Sequence, residues 1–300
     1  MKLPLALSTL ALATAALTTS FTNALPSAPV RRQTSSNTQG YYSPAANGGS
    51  MLTGNTASGL GEPLDVIVSG QSDAGVLNQA GFEEFSRSFY FSPGSCLNIS
   101  QGGYQTANLG DGNGAKPQTN IMRYNYKQGD GGTCIESLKG GNHFRYWIQN
   151  GSAADSGAVF IAASVELNAT LGHMIAPNGY DDGRDELVGN VTAGTLKSPG
   201  GFEYTVSKTT TSQLLGGLSA SQINHDIGID GVVDVLTVRI TKNGTIGAGR
   251  DSSSSGSSSS GGSVSTPQSG ASPAVAFSSK QMVGLSALAL CVTSGLMLVV

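Results

Sequence analysis

The chain has 300 residues, a formal net charge of −3 and only 12% charged residues. Binding to nucleic-acid phosphates needs clustered Lys and Arg, which this chain lacks, so the composition argues against nucleic-acid partners. Residues 60–248, which lie between the processing signals described below, are long enough for one domain with a substantial core.

The N-terminus has the pattern of a secretory signal peptide, which we predict over residues 1–24. Lys2 supplies a positive start, residues 3–17 form an apolar run, and Ala24 ends a small-residue cleavage site. Residues 25–59 follow. They are largely polar and rich in Gly, which predicts a disordered lead-in.

The globular region, residues 60–248, mixes strand and helix patterns without regular alternation. A β-branched run over 64–68 predicts a buried strand, and apolar spacing predicts a helix over 74–90, capped by Ser72 or Asp73. Residues 93–118 are rich in turn residues and predict a loop. Further strands are predicted at 121–126, 143–149, 157–167, 202–212 and 232–241, and helical segments at 133–139 and 182–191. The fold predicted is α+β, a mostly antiparallel sheet with about two helices packed on one face.

The C-terminus has the pattern of a glycosylphosphatidylinositol (GPI) attachment signal. Residues 249–271 form a Ser/Gly-rich stalk, and residues 272–300 combine a spacer of about ten residues with an apolar run that has no cationic flank. Ser269 or the adjacent Gly270 is the predicted attachment residue, and we take Ser269. An uncleaved tail anchor is the alternative.

A secreted protein passes through an oxidising compartment in which disulfides form and N-glycans are attached. Cys96 and Cys134 remain as an even pair in an oxidising compartment and predict one disulfide, with a catalytic thiol as the rival interpretation. The disulfide would close a loop of about 38 residues and contribute roughly 3–4 kcal/mol. N-glycosylation sequons, of which several are expected by chance, occur at Asn98, Asn150, Asn168, Asn190 and Asn243.

The three histidines, His143, His173 and His225, are the candidate catalytic residues. Three histidines form a known ligand set for catalytic zinc, but no two are close in sequence, so metal binding stays open. One histidine with Asp185, or with another nearby aspartate, would suit general acid–base catalysis. The simpler interpretation is that these side chains hydrogen-bond loop backbones. We predict no cofactor.

Two further motifs are weak. Residues 70–74 (GQSDA) place Ser72 between a predicted strand and helix, as in a hydrolase nucleophile elbow, but Ala74 stands where that motif has its second glycine. Residues 110–114 (GDGNG) resemble a calcium loop superficially and lack its later ligands. A helix cap and a Gly-rich turn explain the two segments more simply.

Several strings resemble a known group of proteins: GGNHFRYWIQNGS (140–152), SGAVFIAASVE (156–166), HMIAPNGYDDGRDELV (173–188) and NHDIGIDGVVDVLTV (224–238). They resemble uncharacterised fungal secreted and GPI-anchored proteins and, more distantly, the C-terminal domain of LssY-type bacterial membrane proteins. The resemblance covers roughly residues 61–240. It implies a fungal surface protein and carries no particular activity.

Together these patterns predict a GPI-anchored glycoprotein on the outer face of the plasma membrane or in the cell wall. Its contact with the membrane would be the GPI lipid, and cell-wall glycans are candidate ligands of a structural or binding module. The aromatic residues that would stack on sugars are Tyr104, Tyr124, Tyr146, Trp147 and Tyr180. The alternative is a surface hydrolase with a His/Asp or metal site, so enzyme activity is left open.

Overall fold

The computed structural model describes residues 38–54, 60–94 and 104–248. The predicted signal peptide, stalk and GPI signal lie outside these residues, as do Cys96, Asn98 and Ser269. Within the described ranges, no helix is long and apolar enough to cross a membrane. All of them fall in one compact unit.

Most strands of the chain join one eight-stranded sheet. The strands are β1 (Val66–Val68), β2 (Phe91–Pro93), β3 (Thr106–Asn108), β4 (Ala115–Pro117), β5 (Asn120–Tyr124), β6 (Gly141–Gly151), β7 (Ala154–Glu166), β8 (Leu196–Lys197), β9 (Glu203–Thr211) and β10 (Val233–Lys242). The order in the large sheet is β2-β5-β6-β7-β1-β10-β9-β8, and β3 pairs with β4 separately. In the large sheet β1 and β10 pair in parallel and the other neighbours are antiparallel.

The helices are α1 (Gln79–Arg87), α2 (Thr133–Lys139) and α3 (Gly179–Thr192). Phe82 and Phe85 of α1 and Leu187 of α3 are buried in one hydrophobic cluster with Phe144 of β6, so α1 and α3 share a face of the sheet. The predicted α+β fold is therefore confirmed. Alternation along β6 sends its neighbouring side chains to the opposite face.

The opposite face is covered partly by residues 38–54. Tyr41 and Met51 are buried there with Trp147 and Phe160. The disordered lead-in predicted over 25–59 is therefore wrong for residues 38–54. Two apolar anchors in a polar, Gly-rich segment are enough to order it, because both bury against a hydrophobic sheet face and local composition does not reveal that partner.

The helix predicted over 74–90 begins later than expected. Asn78 caps α1, its side chain accepting a hydrogen bond from the Gly81 amide at 3.0 Å. The predicted caps serve the sheet instead, because Ser72 Oγ accepts from the Val238 amide at 3.0 Å and Asp73 Oδ2 accepts from the Ile240 amide at 2.8 Å. Ser72 is thus buried and committed to β10, which leaves no support for it as a nucleophile.

The strands are also more numerous than the sequence indicated. The loop predicted over 93–118 contains β3 and β4, so the prediction of no regular structure there is wrong. The strands predicted at 143–149 and 157–167 correspond to β6 and β7, which pair as a hairpin and extend further towards their turn than predicted. Asn150 already pairs with Asp155, which leaves a tight connection at residues 152–153.

Candidate functional site

A cluster of charged side chains lies where β6 begins and β7 ends. Antiparallel pairing places His143 opposite Ser164 and Gly141 opposite Glu166, while β5 places Arg123 beside His143. Alternation directs His143 and Arg145 away from the face covered by α1 and α3. We call this group the charged cluster; its members are Glu62, Arg123, Glu136, His143, Arg145, Glu166 and His173.

Glu166 and Glu136 share one guanidinium. Arg123 Nη1 donates to Glu136 Oε2 at 2.7 Å and lies 3.5 Å from Glu166 Oε2. The second Glu166 oxygen, Oε1, lies 3.3 Å from His143 Nε2. Glu136 and His143 are fully buried, so these contacts form out of water, where electrostatic interactions are strong.

Arg145 forms the other side of the cluster. Its Nη1 lies 3.1 Å from His143 Nε2 and 3.5 Å from Glu62 Oε2. The remaining Glu62 oxygen accepts from Gln105 Nε2 at 2.7 Å, and Thr53 Oγ1 donates to Gln105 at 2.6 Å. Thr53 lies in the segment predicted to be disordered, and Gln105 lies in the predicted loop. Both therefore support the buried ion pair of Glu62 and Arg145.

His173 lies on the solvent side of the cluster. Its Nδ1 is 3.6 Å from Glu166 Oε2, and its side chain is 23% exposed against 9% for Glu166. His173 also has a left-handed backbone, φ +54°, which is uncommon for a residue with a side chain. Of the cluster, His173 is therefore the member most exposed to solvent, and it contacts Glu166.

Burial dominates the protonation of the cluster. It raises the pKa of Glu136 to about 7, against the opposing effect of the Arg123 charge, and it raises the pKa of Glu166. Burial, with the charge of Arg145, also holds the pKa of His143 well below its usual range. The imidazole is therefore neutral, while the carboxyl groups hold protons more readily than exposed ones. Clustered shifts of this kind are typical of functional sites.

Two of the three predicted histidines meet in this cluster. His143 and His173 both contact Glu166, whereas the exposed His225 side chain forms no ion pair or hydrogen bond within the described part of the chain. Asp185 does not join them. It is 65% exposed and pairs with Arg184 at 2.7 Å, which in turn binds Asp230 at 2.6 Å.

The carboxylates of the cluster escaped the sequence analysis. Glu62, Glu136 and Glu166 are widely separated in the chain, and no local spacing links them. The one available signal was Arg123, a charge inside an apolar strand pattern, because such a charge needs a buried partner.

A pocket opens on the opposite face of the same sheet end. Its volume is about 380 Å³, and its lining includes Phe91, Tyr124, Tyr126, Asn142, Glu186 and Asn190; we call it the aromatic pocket. The rings of Tyr124 and Tyr126 have centroids 5.0 Å apart. Asn142 Nδ2 donates to the Gly183 carbonyl at 2.9 Å, while its Oδ1 is buried without a partner.

The aromatic patch predicted from the sequence is mostly wrong. Tyr146, Trp147 and Tyr180 are fully buried, because large rings on central strands and on the inner side of α3 fill the core. Tyr104 is 82% exposed and stands outside the aromatic pocket lining. Tyr124 is the one candidate that lines the pocket.

The remaining predicted positions are compatible with a secreted protein. Cys134 is disulfide-bonded, and because Cys96 lies outside the described residues the pairing stays a prediction. The sequon residues Asn150, Asn190 and Asn243 are exposed. Asn168 is half-buried, and its Oδ1 accepts from the Leu171 amide at 3.2 Å.

Comparison with family models, with curated proteins and with solved structures finds no match to this chain.

Proposed function

We propose that this chain is a GPI-anchored cell-surface glycoprotein whose domain is a binding module for a saccharide. The aromatic pocket is the binding surface. The observation that carries the proposal is the pair of tyrosine rings, Tyr124 and Tyr126, which line the pocket with centroids 5.0 Å apart. Adjacent aromatic rings in a pocket offer an apolar surface on which a sugar ring can pack.

The lining chemistry favours a neutral sugar. Tyr124 and Tyr126 offer apolar ring surface for the C–H face of a pyranose, and the Glu186 carboxylate offers oxygen acceptors for its hydroxyl groups. Among the lining residues no side chain is cationic, which disfavours an acidic sugar. A volume of about 380 Å³ is within the range of small-ligand pockets and accommodates one or two sugar units.

Binding is tested by titrating the purified protein with neutral oligosaccharides of glucose, mannose and N-acetylglucosamine in a calorimeter. Tyr124→Leu removes the ring and Glu186→Gln removes the carboxylate. Each should weaken binding about tenfold, corresponding to about 1.4 kcal/mol. The matched control is Tyr104→Leu, whose ring is exposed outside the pocket. Absence of saturable binding to all three sugar series, or an equal loss in the control, would contradict the proposal.

The anchor is tested separately on cells. Phosphatidylinositol-specific phospholipase C should release the protein, and mass spectrometry of the released chain should end at Ser269 or Gly270. A chain that keeps residues 282–300 and resists release would be an uncleaved tail-anchored protein instead.

A surface hydrolase is the second candidate, favoured by the convergence of His143 and His173 on Glu166. In such an enzyme the partly exposed His173 would exchange protons with a substrate. A screen of model ester, phosphate and glycoside substrates tests it. Activity lost in His173→Ala with an unchanged melting temperature, and kept in His225→Ala, would favour the hydrolase over the binding module.

A further inference from the structure

When Glu166 is ionised, the contacts of His143 Nε2 bring two acceptors face to face. Arg145 Nη1 lies 3.1 Å from Nε2, and a guanidinium has donors only, so Nε2 must present its lone pair. The same nitrogen lies 3.3 Å from Glu166 Oε1. An imidazole lone pair and a carboxylate oxygen are both acceptors, and they repel at this distance unless a cation lies between them.

A third acceptor points to the same place. One ligand atom from each of Glu136, His143 and Glu166 lies within 4.8 Å of the other two. Glu136 is fully buried, and while its Oε2 binds Arg123, its Oε1 has no hydrogen-bond partner. A buried unpartnered oxygen therefore accompanies the unsatisfied pair of acceptors.

We propose that Glu136, His143 and Glu166 bind a divalent transition-metal ion, with Zn²⁺ as the first candidate. One imidazole nitrogen with carboxylate oxygens is a donor set that zinc and its neighbours accept. The carboxyl groups Glu62, Glu136 and Glu166 also outnumber the two guanidiniums of the cluster, so a cation that displaces their protons meets an excess of negative charge.

The guanidiniums hold the carboxylates from outside the ligand set. Arg123 binds Glu136 Oε2, which leaves Oε1 without a protein partner, and Arg145 has Glu62 as a partner when Nε2 turns to the ion. Hydrogen bonds of this kind orient metal-binding carboxylates.

His173 supports the site from the solvent side and lies outside the group of three ligands. Its Nδ1 lies 3.6 Å from Glu166 Oε2, so it can hold that carboxylate in place. Three protein ligands with a fourth position open match a zinc site that can bind an exchangeable ligand. This inference is independent of saccharide binding, because the aromatic pocket lies on the other face of the sheet.

The test is metal binding by the full protein after treatment with a chelator. Zn²⁺ should raise the melting temperature saturably with one ion per chain, and Mg²⁺ should not, because it requires an octahedral oxygen shell. Glu166→Gln and His143→Gln should each weaken binding at least a hundredfold. His173→Gln should weaken it ten- to a hundredfold, the range for supporting groups. The matched control, His225→Gln, removes an exposed histidine outside the cluster and should bind like the wild type.

A spectroscopic measurement on the wild-type chain tests metal binding even if the variants fail to fold. Co²⁺ added to the wild-type chain should give visible absorption typical of a four-coordinate site with a nitrogen ligand, and Zn²⁺ should displace it. No saturable response to Zn²⁺ or Co²⁺ would overturn the proposal, leaving a proton as the shared cation. Binding abolished by His225→Gln would also overturn it, in favour of a surface site.

Discussion

At the scale of single residues, Asp65 is a buried carboxyl group whose role is to accept a backbone hydrogen bond; its negative charge has no such role. Its Oδ1 accepts from the Ala163 amide at 3.1 Å, and its Oδ2 is buried without a partner. Burial raises the pKa of Asp65 well above its ordinary value, against the Ala163 hydrogen bond and the charge of Arg184. Its stabilising contribution is therefore complete below the unfolded pKa, near 3.9, and is lost as pH rises through the folded pKa.

We expect Asp65→Asn to remove that pH dependence. The amide keeps an acceptor for Ala163 and cannot ionise, so the variant should not lose the roughly 1.4 kcal/mol per pH unit that the wild type loses between the unfolded and folded pKa of Asp65. Urea unfolding between pH 4 and 8 measures the difference. The lowered pKa of His143 acts with the opposite sign below about pH 6.5, but it is common to both proteins and cancels.

The control is Asp155→Asn, which neutralises an exposed carboxylate. Its unfolding free energy should follow that of the wild type across the same range. Parallel curves for wild type and Asp65→Asn would show that Asp65 is ionised in both states and would contradict the prediction.

Residue types predicted part of the charged cluster and could not predict the rest. His143 and His173 were candidates because histidine side chains can bind metals and exchange protons near neutral pH. Their partner Glu166 ends β7, and Glu136 approaches from α2, which only the tertiary fold brings together. His225 had the same local appearance as the other two and stayed on the surface, because local polarity does not encode burial.

At the scale of elements, α3 approaches β7 through a glycine. A Cβ built on Gly183 would lie 2.5 Å from the Ser164 Cα, a distance that real side chains do not show. Gly189 is six residues further along the same helix, and a Cβ there would meet nothing within 4 Å. Substitution of Gly183 therefore tests the packing of α3 on β7, and substitution of Gly189 tests helix propensity alone.

Gly183→Ala should destabilise the protein by about 1–3 kcal/mol, because α3 must move away from the sheet. Gly189→Ala should stabilise it by about 0.5–1 kcal/mol, because alanine favours an exposed helix interior. Thermal unfolding of both variants measures the contrast. Equal shifts of either sign would mean that α3 is not held against β7 as described.

Elements with strong periodic patterns were predictable, and choices between distant partners were not. The strand pattern over 232–241 correctly predicted β10, although residues 233–236 are all buried and do not alternate between buried and exposed. Ser72 and Asp73 looked like helix caps, yet each bonds to a β10 amide more than 160 residues away. A rule based on neighbouring residues can recognise a helix cap, but it cannot recognise a hydrogen bond to a strand that is distant in the sequence.

At the scale of the whole molecule, β6 connects two candidate sites. Asn142 and His143 are adjacent, and alternation places the first in the aromatic pocket and the second in the charged cluster on the other face. A ligand bound at either site therefore contacts β6, the strand that also carries the other site. Metal and saccharide titrations should be run in both orders to measure any coupling between them.

The last prediction concerns the sequon at Asn190, which is exposed and also lines the aromatic pocket. A glycan attached there would compete with a soluble saccharide for the Tyr124 and Tyr126 rings. We expect Asn190→Gln to bind the best neutral oligosaccharide about tenfold more tightly than the glycosylated wild type. Calorimetry measures the affinity, and mass spectrometry of glycopeptides establishes that Asn190 carries a glycan in the wild type.

The matched control is Asn243→Gln, which removes an exposed sequon just after β10, outside the lining of the pocket. Its affinity should equal that of the wild type even though it also loses a glycan. If both variants gain affinity equally, the effect is one of general glycan bulk and Asn190 does not gate the pocket. If Asn190 alone matters, glycosylation sets how much of the surface population can bind, because the same chain then exists in open and occluded forms.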